Sequence, residues 1–226
     1  MRNVLSTKIL TKEQRTAIPS DLFRLVEYDA ISVEILEVDI EEVSDYHIFT
    51  SKNAVSGFLK ANHQNRPCFC VGSKTRRFLE KNGQKVEKSA KNAQELAEII
   101  AKNHKNASFL FFRGNRSRRE LPTVLADAGI SLAEVEVYRT ELIPKKFEQE
   151  FDCLLFFSPS GVESYCSHNN IGAATAFCIG TTTAEKASGY TNNICIAKEP
   201  TIEEVIKMLT FSAKSDMDPN RYTQQN

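Results

Sequence analysis

The chain has 226 residues, of which 41% are apolar and 26% charged, and Lys plus Arg and Asp plus Glu each count 29. This length suits one large domain or two modest ones, and the zero formal charge argues against a nucleic-acid-binding protein that works by bulk electrostatics. No apolar run approaches the length of a membrane span and no signal-peptide pattern opens the chain, so we expect a cytoplasmic protein without a membrane partner.

Short apolar strands alternate with helical stretches along the chain. At the N-terminus, Asn3–Thr7 reads as a strand and residues 18–26 as a capped helix. The next strands are predicted at His47–Thr50, Cys68–Val71, Phe109–Phe112 and Leu132–Val137, with helices at Ala54–Ala61, Thr75–Asn82, Gln94–Lys102 and Arg118–Ala128. This alternation is typical of βαβ units, which form a parallel sheet covered on both faces.

Part of this pattern occurs twice. DYHIFTSKNAV from Asp45 corresponds to DCLLFFSPSGV from Asp152, and FCVGSKT (69–75) corresponds to FCIGTTT (177–183). The offset is 107 residues between Ser51 and Ser158 and 108 between Gly72 and Gly180. The chain therefore contains two copies of one α/β unit.

The second copy ends without a counterpart to the segment SFLFFRGNRSRRELPTVLADAG of the first. The N-terminal segment can complete its sheet, which predicts an α/β fold of two parallel-sheet, three-layer domains, one inserted in the other. The connections SVEILEVDI (32–40) and AEVEVYRTEL (133–142) are expected to pair as a two-stranded β-ladder hinge. We expect a discontinuous domain 1 over 1–36 and 141–211, an inserted domain 2 over 40–137, and a disordered tail over 212–226.

The balanced charge hides an uneven distribution. Residues 41–137 carry 16 basic and 11 acidic side chains, a net of +5, and the remainder carries −5. This difference reflects either chance surface variation or an anionic ligand bound from one side. The six cysteines and four histidines have no ligand spacing, so we expect buried, reduced cysteines and no metal site.

The repeated turns follow strands and open helices, at the sheet edge where parallel α/β proteins bind ligands. Hydroxyls and free N–H groups there favour a carboxylate or phosphate, although plain helix capping explains any single Ser or Thr. Arg113 and Arg116, after the strand FLFF, are expected to point into the same anion-binding cleft unless they are merely solvated. The candidate substrate-binding residues are Ser51, Lys52, Asn53, Ser73, Thr75, Arg113, Gly114, Arg116, Ser158, Ser160, Gly161, Thr182 and Thr183.

These motifs resemble the uroporphyrinogen-III synthase family in order and spacing, over residues 40 to 210. The resemblance is carried by FTSKNAV, FCVGSKT, FRGNRSRREL, VEVYRTEL, FFSPSGV, FCIGTTTAEKA and EPTIEEVIKML. It implies two α/β domains with the active site between them. It also implies a cyclising hydro-lyase of haem and tetrapyrrole biosynthesis. Such an enzyme converts hydroxymethylbilane to uroporphyrinogen III by loss of water and inversion of ring D, without a cofactor.

The resemblance also implies residue roles. Tyr138, in VEVYRT, matches a family tyrosine that assists loss of the substrate hydroxyl, whereas core packing is the plain explanation of a tyrosine on a strand. The chain departs from the family at VLSTKIL, where Lys8 replaces an expected arginine without the following proline, and at Thr181, where the family commonly has proline.

Two other functions are the alternatives. The main one is a non-catalytic protein whose two lobes close on a small anion, although a periplasmic protein of this kind is expected to carry a signal peptide. The second is a flavodoxin-like interaction module, which needs an acidic pocket or a flavin loop, and the sequence shows neither. The chain has no P-loop, dinucleotide fingerprint or catalytic triad, so an enzyme of this kind works by positioning and charge stabilisation. We expect a monomer, because no surplus apolar surface is evident.

Overall fold

The computed structural model describes residues 1–61 and 63–214. The chain forms two compact units: unit 1 is Met1–Ser32 with the chain from Glu141 onwards, and unit 2 is Val33–Thr140. In chain order the elements are β1 (Arg2–Ser6), α1 (Lys12–Thr16), β2 (Phe23–Glu27), β3 (Ile31–Ile35), β4 (Tyr46–Phe49), α2 (Lys52–Ala61), β5 (Cys68–Val71), α3 (Ser73–Lys81), β6 (Val86–Ala90), α4 (Ala93–Asn103), β7 (Ser108–Gly114), α5 (Glu120–Asp127), β8 (Ser131–Leu142), β9 (Cys153–Phe156), α6 (Pro159–Cys166), β10 (Thr175–Cys178), α7 (Thr181–Ala187), β11 (Ile194–Ile196) and α8 (Ile202–Lys214).

Unit 2 is built on a sheet of strand order β3-β8-β7-β4-β5-β6. The pairs from β8 to β6 are parallel. Successive residues of β4 bury opposite faces: Ile48 packs with Leu96 and Leu125 of α4 and α5, and Phe49 packs with Phe58 and Leu79 of α2 and α3. Helices therefore cover both faces of the sheet, as the alternating pattern predicted.

Unit 1 repeats this arrangement with the strand order β11-β10-β9-β1-β2, all parallel. Leu154 of β9 faces a core that includes Val162 of α6, and Leu155 faces one that includes Val205 and Leu209 of α8. The N-terminal strand β1 lies beside β9, so the start of the chain completes the sheet that the second copy leaves short.

The predicted helix over residues 18–26 is wrong. An earlier, shorter helix begins at Thr11, whose side chain accepts from the backbone of Gln14 while the Gln14 side chain accepts from the N–H of Thr11. Pro19 then opens a turn, and β2 pairs in parallel with β1 over five residues. Pairing with β1 buries Phe23 in the unit 1 core, and this tertiary contact overrides the local helical pattern.

The two connections between the units pair with each other. β3 is the neighbour of β8, and the Leu36 N–H donates to Val137 O at 3.0 Å while the Ile143 N–H donates to Ala30 O at 2.8 Å. The two strands are therefore antiparallel. Because β8 also pairs with β7, this ladder is one edge of the six-stranded sheet, and β3 ends earlier than the connection expected over 32–40.

Two other boundaries differ from the sequence predictions. The edge strand β6 has the polar sequence VEKSA, so it carries no apolar signal. Helix α8 continues through Ser212 to Lys214, so the tail predicted from Ser212 is wrong for its first three residues, and the rest of that tail lies outside the described residues. No helix within the described ranges is both long and apolar enough to span a membrane.

Candidate functional site

Tyr138 and Ser51 meet in unit 2, although 87 positions separate them in the chain. The Ser51 hydroxyl donates to the Tyr138 phenolic oxygen at 3.2 Å, and the Tyr138 side chain is half-buried. Ser51 follows the end of β4. Through β7, the last residue of β4 is level with Val135 of β8, and Tyr138 lies further along β8. Both side chains therefore belong to the carboxyl edge of the sheet. A phenol in this position remains open to a ligand on its exposed side.

Ser51 also begins helix α2. Its hydroxyl oxygen accepts from the Ala54 N–H at 3.1 Å, and the Val55 N–H donates to Ser51 O at 3.3 Å. Plain helix capping, the alternative left open for this serine, is thus one of its roles. The cap also fixes the hydroxyl, so that its proton is directed to Tyr138.

Two glycines make room for the strand that carries Tyr138. A methyl group at Gly114 would lie 2.4 Å from Cζ of the Tyr138 ring, and one at Gly57 would lie 2.6 Å from Val137 Cβ. Gly57 lies inside α2, where glycine lowers helix propensity, so this close approach is the physical reason for its presence. Gly114 lies against the tyrosine ring, and its predicted contact with substrate stays a prediction.

Arg113, which was predicted to point into an anion-binding cleft, lies beside an acidic side chain of its own unit. Its Nε lies 2.8 Å from Glu134 Oε2, and its Nη1 donates to Gly114 O at 3.1 Å. Arg119 Nη1 lies 2.9 Å from Oε1 of the same carboxylate. The cause is the register of the sheet. Arg113 of β7 pairs with Glu136 of β8, and Glu134 lies two residues before Glu136 on the same strand, so the Glu134 carboxylate is within reach of the Arg113 side chain.

The other unit 2 candidates are divided between surface and core. Lys52 and Asn53 are exposed in the first turn of α2, and Ser73 is exposed at the start of α3, whereas Thr75 is only 5% exposed. Arg116 is exposed on the turn after β7. Of the candidates in unit 2, Ser51 and Gly114 lie directly against Tyr138.

In unit 1 the equivalent edge joins Ser158, Gly161 and Thr7. The Ser158 hydroxyl accepts from the Gly161 N–H at 3.0 Å, and a methyl group at Gly161 would lie 3.5 Å from Thr7 Oγ1. The Thr7 hydroxyl is itself occupied, since it donates to Leu155 O at 2.7 Å. Ser160 is half-buried, Thr182 is exposed and Thr183 is 2% exposed.

The charge difference between the units is smaller than the predicted domain limits implied. Unit 2 carries 17 basic and 14 acidic residues, a net of +3, and the rest of the chain carries −3.

All six cysteines are free thiols, and burial raises the pKa of Cys153 and Cys166 to about 11. In the described part of the chain, no three His, Cys, Asp or Glu side chains are grouped so as to hold a metal ion.

Asn115 and Glu134 are site residues that the sequence reading missed. Asn115 Oδ1 accepts from the Thr140 N–H at 2.9 Å, and its Nδ2 donates to Thr140 O at 3.2 Å. The Gly-Asn pair after a strand indicates a turn, but nothing local indicates which backbone groups an amide side chain will bind.

Comparison with known proteins identifies the family of this chain. A sequence model of the family described as uroporphyrinogen-III synthase HemD matches residues 8–207. This chain belongs to the uroporphyrinogen-III synthase family. A uroporphyrinogen-III synthase of Chlorobaculum parvum is 28% identical over 195 residues, which cover 71% of this chain and 78% of that protein.

Two solved structures support the fold of this uroporphyrinogen-III synthase family member. The Helicobacter pylori uroporphyrinogen-III synthetase aligns with a TM-score of 0.69 at 21% identity, over 94% of this chain and 99% of that one. A mutant Thermus thermophilus uroporphyrinogen III synthase aligns with a TM-score of 0.72 at 12% identity, over 95% and 99%. At these identities the likeness bears on the two-domain α/β fold alone, and that fold was predicted from the repeat.

Proposed function

We propose that this chain is a uroporphyrinogen-III synthase whose reaction depends on the Ser51–Tyr138 pair. The family membership supports the reaction class, namely cyclisation of hydroxymethylbilane to uroporphyrinogen III with loss of water and inversion of ring D. The single observation that supports the residue assignment is the 3.2 Å hydrogen bond that aims the Ser51 proton at the phenolic oxygen. It leaves the Tyr138 proton free to be donated elsewhere.

In this proposal Tyr138 donates a hydrogen bond to the departing hydroxyl of hydroxymethylbilane, and transfer of the phenolic proton along it lets the C–O bond break and water leave. The resulting azafulvene cation is attacked by the substituted carbon of the last pyrrole, which forms a spiro intermediate. Fragmentation and reclosure then invert that ring, and the proton released as the neutral product forms restores the phenol. Ser51 assists because its donated hydrogen bond polarises the phenol and makes its proton a better donor.

The substrate carries an acetate and a propionate on every ring, so each unit is proposed to bind carboxylates at its strand-end turns. The exposed candidate groups there are Lys52, Asn53, Ser73 and Arg116 in unit 2 and Thr182 in unit 1. Backbone N–H groups at the helix starts complement them. Arg113 is removed from this set, because Glu134 already neutralises it.

The test is incubation of the protein with hydroxymethylbilane generated enzymatically, followed by separation of uroporphyrinogen isomers I and III. Isomer I forms spontaneously, so the expected result is an excess of isomer III that scales with protein concentration. An isomer ratio equal to that of the protein-free reaction would instead support the non-catalytic anion-binding alternative. The monomeric state and cytoplasmic location stay predictions.

A further inference from the structure

The carboxyl end of the β7–β8 ladder is irregular where the tyrosine stands. Arg113 pairs with Glu136, but the next residue, Gly114, pairs with Tyr138, so β8 contains one extra residue there. β7 then ends while β8 continues to Leu142. After Tyr138, β8 therefore has no β7 residue to pair with.

Asn115 takes the place of the missing strand. Its backbone N–H donates to Tyr138 O at 3.4 Å, and its side-chain amide both accepts from Thr140 N–H and donates to Thr140 O. A carboxamide has the donor and acceptor of a peptide group, so it pairs with Thr140 as a neighbouring strand would. One residue thus holds the main chain on both sides of Arg139, directly after Tyr138.

The ring of Tyr138 is limited on two further sides. Gly114 leaves no room for a methyl group below it, since that carbon would lie within 2.9 Å of three ring atoms. The Ser51 hydroxyl marks the other limit at the phenolic oxygen. Gly114 and Ser51 therefore leave the ring little freedom, so the direction of the phenol depends on the path of the β8 main chain.

We propose that Asn115 is a positioning residue, which acts on the reaction through the main chain of Tyr138 and Thr140 without touching substrate. This inference rests on the proposed role of Tyr138 in catalysis. Asn115 is exposed, so it contributes little to the core, and its loss is expected to disturb the aim of the phenol and leave the fold intact.

The activity test is a double-mutant cycle with Asn115→Ala and Tyr138→Phe, measured as turnover to isomer III. Asn115→Ala is expected to lower kcat about 10-fold with little change in KM, because misplacement affects the transition state more than binding. Asn115→Asp, which keeps the acceptor for Thr140 N–H, is expected to fall between. In the Tyr138→Phe background the Asn115→Ala change should add no further loss.

Asn103→Ala is the matched control, because Asn103 is an exposed asparagine whose Nδ2 donates to a backbone oxygen, that of Ile99, at the end of α4. It is expected to leave kcat unchanged. An unchanged kcat in Asn115→Ala, or an equal loss with and without the Tyr138 hydroxyl, would overturn the inference.

A second readout does not depend on activity. With 3-fluorotyrosine placed at position 138, the wild-type protein should give one sharp fluorine NMR signal, and Asn115→Ala should broaden or split it. An unaltered signal would overturn the positioning role. If the wild type makes no excess isomer III, or if Tyr138→Phe retains full turnover, the proposed function fails, and this spectrum still decides whether Asn115 holds Tyr138.

Discussion

The two units share one sheet design but reach it by different chain paths. In unit 2 the strand between β4 and β8 is β7, which follows β4 in the chain, whereas in unit 1 the equivalent strand β1 precedes β9 by most of the chain length. The register is equivalent: Tyr46 pairs with Phe109, and Cys153, which is 107 positions after Tyr46, pairs with Val4. The sheet thus tolerates a rearranged chain order, because strand pairing depends on where the strands lie in the sheet and not on their order in the chain.

The same register aligns Glu27 of β2 with Glu134 of β8. Glu27 lies 2.6 Å from Arg15 Nε of α1, and Glu134 lies 2.9 Å from Arg119, which begins α5. In both units a glutamate on the second strand therefore holds the helical crossover that precedes it. Contacts of this kind belong to the shared architecture and do not distinguish one unit from the other.

The units differ at the carboxyl edge. The β1–β2 ladder stops at Ser6 and Glu27, but the β7–β8 ladder runs on through Gly114 and Tyr138. The candidate catalytic group stands on this extension. The comparison teaches that the repeated fold supplies the scaffold and that the additional strand length of one copy supplies the candidate chemistry.

The largest expected effect is on catalysis. Tyr138→Phe should fold normally and lose turnover about 10- to 1000-fold, since it removes one hydrogen bond made to a departing group. The measurement is the rate of isomer III formation above the spontaneous rate of isomer I. Tyr28→Phe is the matched control in unit 1, because Tyr28 is buried against Phe147, and it should leave turnover near that of the wild type.

Gly57→Ala tests the close approach of α2 to β8 in unit 2. The added carbon would meet Val137 O and Cβ at 2.6 Å, so overpacking should lower the free energy of unfolding by about 1–3 kcal/mol in urea titrations. Gly189→Ala in unit 1 meets only Lys186 O at 3.7 Å, an ordinary contact, and should be close to neutral. Equal effects of the two changes would contradict this difference between the units.

His47 gives unit 2 an acid sensitivity that its counterpart in unit 1 lacks. Burial lowers the pKa of His47 from 6.5 to about 3, with smaller contributions from His63 and Arg66. Between these two pH values, His47 is therefore protonated in the unfolded chain and neutral in the folded protein. Stability is unaffected above pH 6.5 and should fall by up to about 1.4 kcal/mol per pH unit as the pH drops toward 3.

The control for this titration is His47→Leu, which introduces the residue found 107 positions later, Leu154. Urea unfolding followed by circular dichroism from pH 7 to pH 4 should show a shallower loss of stability in this variant. The same pH dependence in both proteins would rule out His47 as the source.

The smallest effect is expected from the shared glutamates. Glu134→Gln and Glu27→Gln should each lower the free energy of unfolding by about 0.5–1 kcal/mol, because their arginine partners are partly exposed. The losses should shrink at high salt, where screening has already weakened the wild-type pairs. A loss independent of salt in urea titrations would show that packing, not charge, accounts for the glutamates.

Local sequence patterns predicted the elements that bury apolar residues with a clear period. The strand over Cys68–Val71 has the predicted limits, and the helix predicted over Ala54–Ala61 begins two residues earlier, at Lys52. The strand β6 was missed because an edge strand needs no apolar run, and β2 was misread because its hydrogen bonds come from β1. In both places the deciding partner is outside the local window.

For the candidate site, the sequence by itself determined the two-copy α/β architecture and which turns stand at strand ends, because periodicity and turn chemistry are local properties. Only the tertiary structure decided that Ser51 meets Tyr138, that Gly114 lies against its ring, and that Arg113 is neutralised by Glu134. These contacts depend on strand register and on one extra residue in β8. A shift of a single position in a strand turns each side chain to the opposite face, so register is decided by the packing of the whole sheet.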